Sequence, residues 1–532
     1  MELGLPAWRP SPSTSSSRSS SLQLQPPGPL GPLGLFGPVK FLETPAETTL
    51  LLAGVGGATA GVRCGRLRVR RWARSVGPTG PQERMEKEQL RFARAIEGAP
   101  FSKQHAMMLA AGFCSFFVLG SLNDAFGLAF NAFQQEWGEV HPSTLAAVAS
   151  CATLGQTLAI LSAGSLSDRF GRRAVARVGT GFGMFGLLCC LSASSLPSLA
   201  LGRAISGFGL GSTFVAVPTL LTECMPKRHS RLLVSYQFGW PLAALTYAFM
   251  LRFGWRVATA SAFPVLFLLI ALLSGLAESP RNLLARNKRQ EALRCLASLK
   301  ASLKPEAADR QDSNEASPEV SSSGVDRSYL VFLSCFFLAG LASQLVKVWL
   351  PTILATMKAS HSGGFALMWL VEVMGILTMA QLFGSSDSSS SSSGSAGSAG
   401  SALRSQLKVS RSCFFAAAGS MVAILLSPQL TGVWGGIHLV CQAAAFNFLL
   451  PFASSTFRPA VRGRRVAGLL LASQVGSFLG PLLGSYILEA CPGLGGCSLL
   501  VAGSAYGAGA LLVRGLLRSF ARKQVQAVPA EA

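Results

Sequence analysis

Asp124, Lys347 and Glu372 are ionisable residues that lie inside long apolar runs of this 532-residue chain. Glu372 stands between Val371 and Val373. A charge at the centre of a bilayer costs roughly 3 kcal/mol or more, so such groups pair, face water, or take up and release protons. That chemistry suits proton transfer across an apolar layer, with Glu372 the first candidate and Asp124 the second. The plainer reading is a structural ion pair of Glu372 with Lys347, since both side chains are long enough to meet. The uncharged polar residues Gln237, Gln344, Gln442 and Asn447 share these runs. Gln344 and Lys347 stand about one helical turn apart. Each amide can contact a solute or simply bond to a neighbouring helix.

No residues are spaced as a catalytic centre. There is no phosphate-binding P-loop, and the five histidines have no metal-ligand spacing. The chain is therefore read as a non-enzyme without a metal or cofactor. Most of the twelve cysteines sit in apolar runs, where they behave as small hydrophobes. Cys491 and Cys497 share one short loop, where a disulfide and a pair of thiols fit equally well.

The elements that hold these groups follow from composition. Half of the residues are hydrophobic and 13% are charged, the profile of a multi-span membrane protein. The net charge of +22 invites a nucleic-acid partner. That reading is rejected, because the bases fall in loops between apolar spans. Twelve stretches are read as spans: 106–130, 143–163, 174–192, 196–221, 232–251 and 257–276, then 328–350, 363–382, 412–426, 430–452, 466–488 and 498–516. Helices satisfy every backbone group inside lipid, so the expected fold is an all-α membrane protein with twelve transmembrane helices.

The predicted domains are a disordered basic tail (1–104), a six-helix half (105–276), a central loop with an amphipathic helix (277–327), a second six-helix half (328–516) with a Ser/Gly-rich loop at 384–403, and a tail (517–532). The amphipathic helix is read from a stripe of Leu283, Leu284, Ala292, Leu293 and Leu296. Arg63, Arg66, Arg68, Arg70, Arg71 and Arg74 cluster in the first tail, which reads either as an organelle-targeting leader or as a basic cytosolic tail. Both a plasma membrane and an organelle envelope fit. Loop charge sets the orientation. Arg169, Arg172, Arg173 and Arg177 follow span two, and Lys227, Arg228 and Arg231 follow span four. Arg458, Arg462, Arg464 and Arg465 follow span ten, whereas the loops after spans one, three, nine and eleven hold no base. Arg252, Arg256 and Lys358 are exceptions. Both termini and the central loop thus face the cytosol or its equivalent.

Between spans two and three lies Gly164-Ser-Leu-Ser-Asp168-Arg169-Phe-Gly171-Arg172-Arg173. Gly164 is read as a site of close backbone approach and Gly171 as a sharp bend. This order resembles the signature loop of the major facilitator superfamily. Arg203, followed by Gly207, Gly209 and Gly211, is similar to that family's fourth-helix motif, and Glu278-Ser-Pro-Arg281 to its sugar-porter and organic-ion/synaptic-vesicle branches. Trp349-Leu-Pro351 and Arg458-Pro-Ala-Val-Arg462-Gly463 resemble the organic-ion/synaptic-vesicle branch. The resemblance covers residues 105–516 and implies a major facilitator fold of two six-helix halves. It also implies a cavity lined by spans one, four, seven and ten, and alternating access gated by the signature loop with Arg203, Glu278 and Arg281. Asp124, Gln237, Gln344, Lys347, Glu372, Gln442 and Asn447 become the candidate solute and proton contacts.

The chain departs from the family between spans eight and nine. A Ser/Gly run from Ser385 to Ser401 replaces the second signature loop, and Ser455 and Arg458 replace the usual Glu and Pro after span ten. The expected function is secondary or facilitative transport of a small organic solute, an organic ion or niacin-like, with protons as a second partner and the lipid bilayer as its medium. The alternatives are a sugar or polyol porter, which lacks its paired span-seven glutamines here, and a transport-inactive sensor or scaffold, motivated by the missing second loop.

Overall fold

Long apolar runs form helices end to end in the computed structural model, which describes residues 81–303, 327–356, 367–378, 396–457, 459–491 and 495–526. Among the described residues every regular element is helical. Ten helices among the described residues are long and apolar enough to cross a membrane. In the first half these are span one (Lys103–Trp137), two (Pro142–Phe170), three (Arg172–Leu191), four (Leu196–Cys224) and six (Trp255–Gly275). In the second half they are span seven (Ser328–Leu354), nine (Arg404–Leu426), ten (Pro428–Leu450), eleven (Arg465–Ala490) and twelve (Gly496–Ser519). Span five begins as a 3-10 stretch, Lys227–Phe238, and continues as the helix Gly239–Met250. Span eight is described over Leu367–Thr378.

Small residues set the packing. In the first half Gly239 of span five lies on the backbone of Phe113 and Phe117 in span one. In the second half Gly476 of span eleven lies on the backbone of Phe337 in span seven. The same pair of positions in each half meets without room for a side chain, as expected of two repeated units.

Three sequence expectations change. Residues 81–104 were expected within a disordered tail, yet Pro81–Gly98 is a helix. Its buried residues Phe92, Ala95 and Ile96 pack on Leu283, Leu284, Ala292 and Leu296 of the central loop, and Glu88 pairs with Arg289. Burial of that short stripe orders a segment whose average composition is polar. The central amphipathic helix is broken into two, Pro280–Ala285 and Arg289–Ser298, by Asn287 with φ +57°. The break turns Leu293 outward, leaving it 37% exposed, while the other four residues of the expected stripe are buried. Finally, the span-nine helix starts at Ala396, inside the stretch expected to be a Ser/Gly loop. Leu407 is fully buried and Ser410 Oγ donates to the Ala445 carbonyl at 3.2 Å, so packing on span ten carries the helix back beyond the apolar run. The leader arginines and residues 384–395 lie outside the described residues. Cys491 and Cys497 are free thiols.

Candidate functional site

Span one is not a continuous helix. Its first segment, Lys103–Asn123, ends with Asp124 as C-cap, loosens through a 3-10 turn at Phe126–Ala129, and restarts as Phe130–Trp137. A carboxylate at a helix C-terminus is disfavoured by the helix dipole, and a nearby cation offsets this. The loosened turn brings the cation close. Gly127 sits against the Val348 backbone, too near for any side chain, so spans one and seven touch there. Lys347 Nζ then donates to Asp124 Oδ2 at 2.8 Å. The two side chains are 15% and 8% exposed. Asp124 Oδ1 is buried without a hydrogen-bond partner. Lys347 thus joins Asp124 across the boundary between the halves, instead of forming the Glu372 ion pair weighed from the sequence.

Glu372 is buried close by, and the charges acting on it are those of Lys347 and Asp124. Met368 and Trp369, one turn earlier in span eight, line a cavity with Asp124, Lys347, Gly435 and His438. Its volume is ≈ 20 Å³, room for about one or two waters. Lys347 Nζ also lies 5.4 Å from the centre of the Trp240 ring in span five. One cation, two carboxylates, an imidazole and two indoles therefore converge from spans one, five, seven, eight and ten.

The other candidates are distributed around this group. Gln237 and Asn447 exchange two hydrogen bonds, Gln237 Nε2 to Asn447 Oδ1 at 2.9 Å and Asn447 Nδ2 to Gln237 Oε1 at 3.0 Å, which link spans five and ten. Gln344 and Gln442 are half-buried, Gln344 beside Gly480.

Further contacts cross between the halves on the side away from the basic loops. Ser150 Oγ donates to the Phe478 carbonyl at 2.8 Å. His141 Nδ1 and the Ser143 backbone N–H both donate to Glu489 Oε1 at 3.0 Å. Phe130 and Trp349 rings meet edge to face, 5.3 Å apart.

On the basic side the signature loop is tied to its own half and to the start of the central loop. Gly171 has φ +104°, which only glycine adopts readily, and the chain turns there into span three. Arg172 and Arg173 backbone N–H groups donate to the two oxygens of Glu278 at 2.9 and 3.0 Å, placing a carboxylate on a helix N-terminus. Arg172 Nη2 reaches both Asp168 at 3.0 Å and Glu223 at 3.1 Å. Arg173 donates to the Leu273 and Ser274 carbonyls and so caps the end of span six. Asp168 is 73% exposed, and among the described residues its partners are Arg172 in the first half and Asn282 in the central loop. Arg169 and Arg281 are exposed. Gly164, expected at a close approach, is exposed and faces open space.

Arg203 lies deeper than an interfacial arginine. It is 4% exposed and donates to the Val148 and Ala149 carbonyls at 3.0 and 3.4 Å. Its guanidinium lies 3.5 Å from the Phe126 ring centre, bracing the loosened turn of span one from span four. Gly207 and Gly211 pack on the backbone of Ala152 and Gln156 in span two, and Gly209 packs on the backbone of Gly183 in span three, so the motif glycines bring span four onto both neighbours.

Sequence reasoning missed Glu223, Trp240, Trp369 and His438. Glu223 lies in the last turn of span four and belongs to the Arg172 network on the basic side. His438 was legible by the rule that selected Glu372, a polar ring inside an apolar run, but it was considered for metal binding alone.

The Major Facilitator Superfamily model matches residues 106–451. The chain is 26% identical over 414 residues to the 4-hydroxybenzoate transporter PcaK of Acinetobacter baylyi, covering 74% of this chain and 86% of that one. It is 26% identical to PcaK of Pseudomonas aeruginosa over 81% of this chain and 97% of the relative. It is 23% identical to the niacin transporter NiaP of A. baylyi over 75% of this chain and 90% of the relative. These names point to aromatic acids and niacin rather than clearly to the organic-ion/synaptic-vesicle branch. Among solved structures, the inward-open xylose transporter XylE from E. coli aligns with a TM-score of 0.56 at 16% identity, covering 77% of this chain and 96% of that one, which speaks to the fold. With its apolar helices and the match of the family model to residues 106–451, the chain belongs to the Major Facilitator Superfamily, as a multi-pass integral membrane protein.

Proposed function

We propose that this protein carries a small aromatic or heteroaromatic carboxylate across its membrane by alternating access, together with a proton. The observation that carries the reading is Lys347, a buried cation held by Asp124 at the seam between the halves. A solute carboxylate offers Lys347 the same anionic acceptor oxygen as Asp124 and can take its place. That exchange loosens the link between spans one and seven and admits movement of one half against the other. Trp240 and Trp369 supply flat apolar surface for a ring. The 4-hydroxybenzoate and niacin of the named relatives are solutes of this kind.

Charge balance supports the proton. Each anion that enters adds a negative charge to a buried site, and a proton on Glu372 cancels it. Asp124, once released from Lys347, is the second place for that proton. Gln237 and Asn447 hold spans five and ten together, and Gln344 and Gln442 are the remaining polar contacts offered to the solute. The cytosolic gate is assigned to Gly164, Asp168, Arg169, Gly171, Arg172 and Arg173, with Arg203, Glu278 and Arg281 as supports. Exposed Asp168 is placed to exchange Arg172 for a partner in the second half when the cytosolic side closes.

Uptake into proteoliposomes from a mixed pool of metabolites, read by mass spectrometry, tests this. An aromatic carboxylate should accumulate with an inward proton gradient and not without one. Accumulation of a neutral polyol would instead favour a sugar or polyol porter. No uptake beside a working control carrier would favour a transport-inactive sensor.

A further inference from the structure

His438 is 1% exposed, yet neither ring nitrogen completes a hydrogen bond of normal geometry. The Ala417 carbonyl approaches the ring, and the Tyr506 ring packs edge-on against it, 5.2 Å between centres. The imidazole lines the same small cavity as Lys347, Asp124, Met368 and Trp369. Gly435, one turn earlier in span ten, borders that cavity too, so the helix presents this face to it. A buried donor or acceptor left unpaired costs stability, and such groups persist where a ligand supplies the partner. Phenylalanine or leucine would fill the same space without that cost.

We propose that His438 is a specificity-determining residue which hydrogen-bonds a hydroxyl group on the ring of the bound carboxylate. The inference rests on the reading of Lys347 as the carboxylate site. A neutral imidazole has one N–H and one bare nitrogen, and the bare nitrogen accepts from a phenolic O–H. The cation thus fixes one end of the solute, and the imidazole selects what the other end carries. Sites that hydrogen-bond a hydroxyl discriminate strongly against analogues lacking it, because their own polar group is then stranded. The cavity is too small to hold a ring in this arrangement of helices, so the contact forms as spans seven, eight and ten part.

The test is equilibrium binding of benzoate, 3-hydroxybenzoate and 4-hydroxybenzoate to the purified full-length protein, with His438→Phe and His438→Gln beside wild type. Wild type should bind one hydroxybenzoate at least about tenfold tighter than benzoate. His438→Phe should reduce that preference to within about threefold, while His438→Gln, which keeps a hydrogen-bonding group, should retain part of it. Without ligand, His438→Phe should melt about 2–4 °C higher, since it removes the stranded nitrogens. A preference that survives in a folded His438→Phe protein, or wild type that binds benzoate with no hydroxyl preference, overturns the role of His438 and leaves the carboxylate reading intact. If wild type binds none of the three, the carboxylate reading fails and this inference with it. A lower melting temperature for His438→Phe would assign the ring a structural role instead.

Discussion

Lys347 and Asp124 meet at 2.8 Å across the boundary between the two six-helix halves. The contact depends on Gly127, which lets span one touch the Val348 backbone, and on Arg203, which braces the turn from behind. Breaking a buried pair from one side strands a charge and costs about 3–5 kcal/mol. Lys347→Met and Asp124→Asn alone should therefore each lower the melting temperature of the purified protein. The double variant Asp124→Asn/Lys347→Met should recover most of that loss, and all three should lack transport. A double variant no more stable than Lys347→Met alone would show that the pair is not coupled.

Glu372 is assigned the proton. Uptake by wild type should rise as the outside is made more acidic than the inside, because the proton enters with the solute. Glu372→Gln should abolish accumulation driven by the gradient while retaining exchange of labelled for unlabelled solute. Loss of both activities in a folded Glu372→Gln protein would point to a solute contact rather than a proton carrier.

Gly171 and Glu278 form a single device. Any side chain at Gly171 meets an unfavourable φ, costing roughly 1–2 kcal/mol, and also pushes on Glu278. Gly171→Ala should thus lower stability more than Gly164→Ala, whose added methyl meets open space. Melting curves of the two variants side by side check this order. Glu278→Gln removes a charge from the span-three N-terminus and should cost about 0.3–2 kcal/mol.

The helix Pro81–Gly98 buries one short apolar stripe, and its Glu88 pairs with Arg289. Phe92→Ala removes its fully buried anchor, in a class of change that costs about 3–5 kcal/mol in a packed core. The expected readout is faster protease cleavage within residues 81–98, with the spans still folded. Unchanged cleavage would mean that the helix does not depend on this stripe.

What the sequence made legible, and what it did not, has a physical pattern. Spans were readable because bilayer thickness demands long apolar runs, and Asp124, Lys347 and Glu372 stood out because charge in such runs is costly. Their pairing was not readable. The sequence offered Glu372 as the partner of Lys347, and the choice of Asp124 is fixed by the approach of Gly127 to Val348, a tertiary contact without a local signal. The helix Pro81–Gly98 escaped notice because its buried residues are few, its background is charged, and its partners lie far along the chain. Leu293 was misplaced because Asn287 breaks the helix that would have turned it inward. His438 was visible in principle, as a polar ring in an apolar run, but its importance rests on what fails to bond with it in the folded protein.

The most direct measurement is equilibrium binding of benzoate and of its neutral isostere benzamide to the purified protein, wild type against Asp124→Asn/Lys347→Met. If Lys347 receives the solute carboxylate, wild type should prefer benzoate by at least about tenfold, the scale of one charge-assisted hydrogen bond of 1.5–3 kcal/mol. The double variant, with the pair neutralised, should bind the two compounds alike. An equal preference in both proteins would place the carboxylate elsewhere and contradict the central role of Lys347.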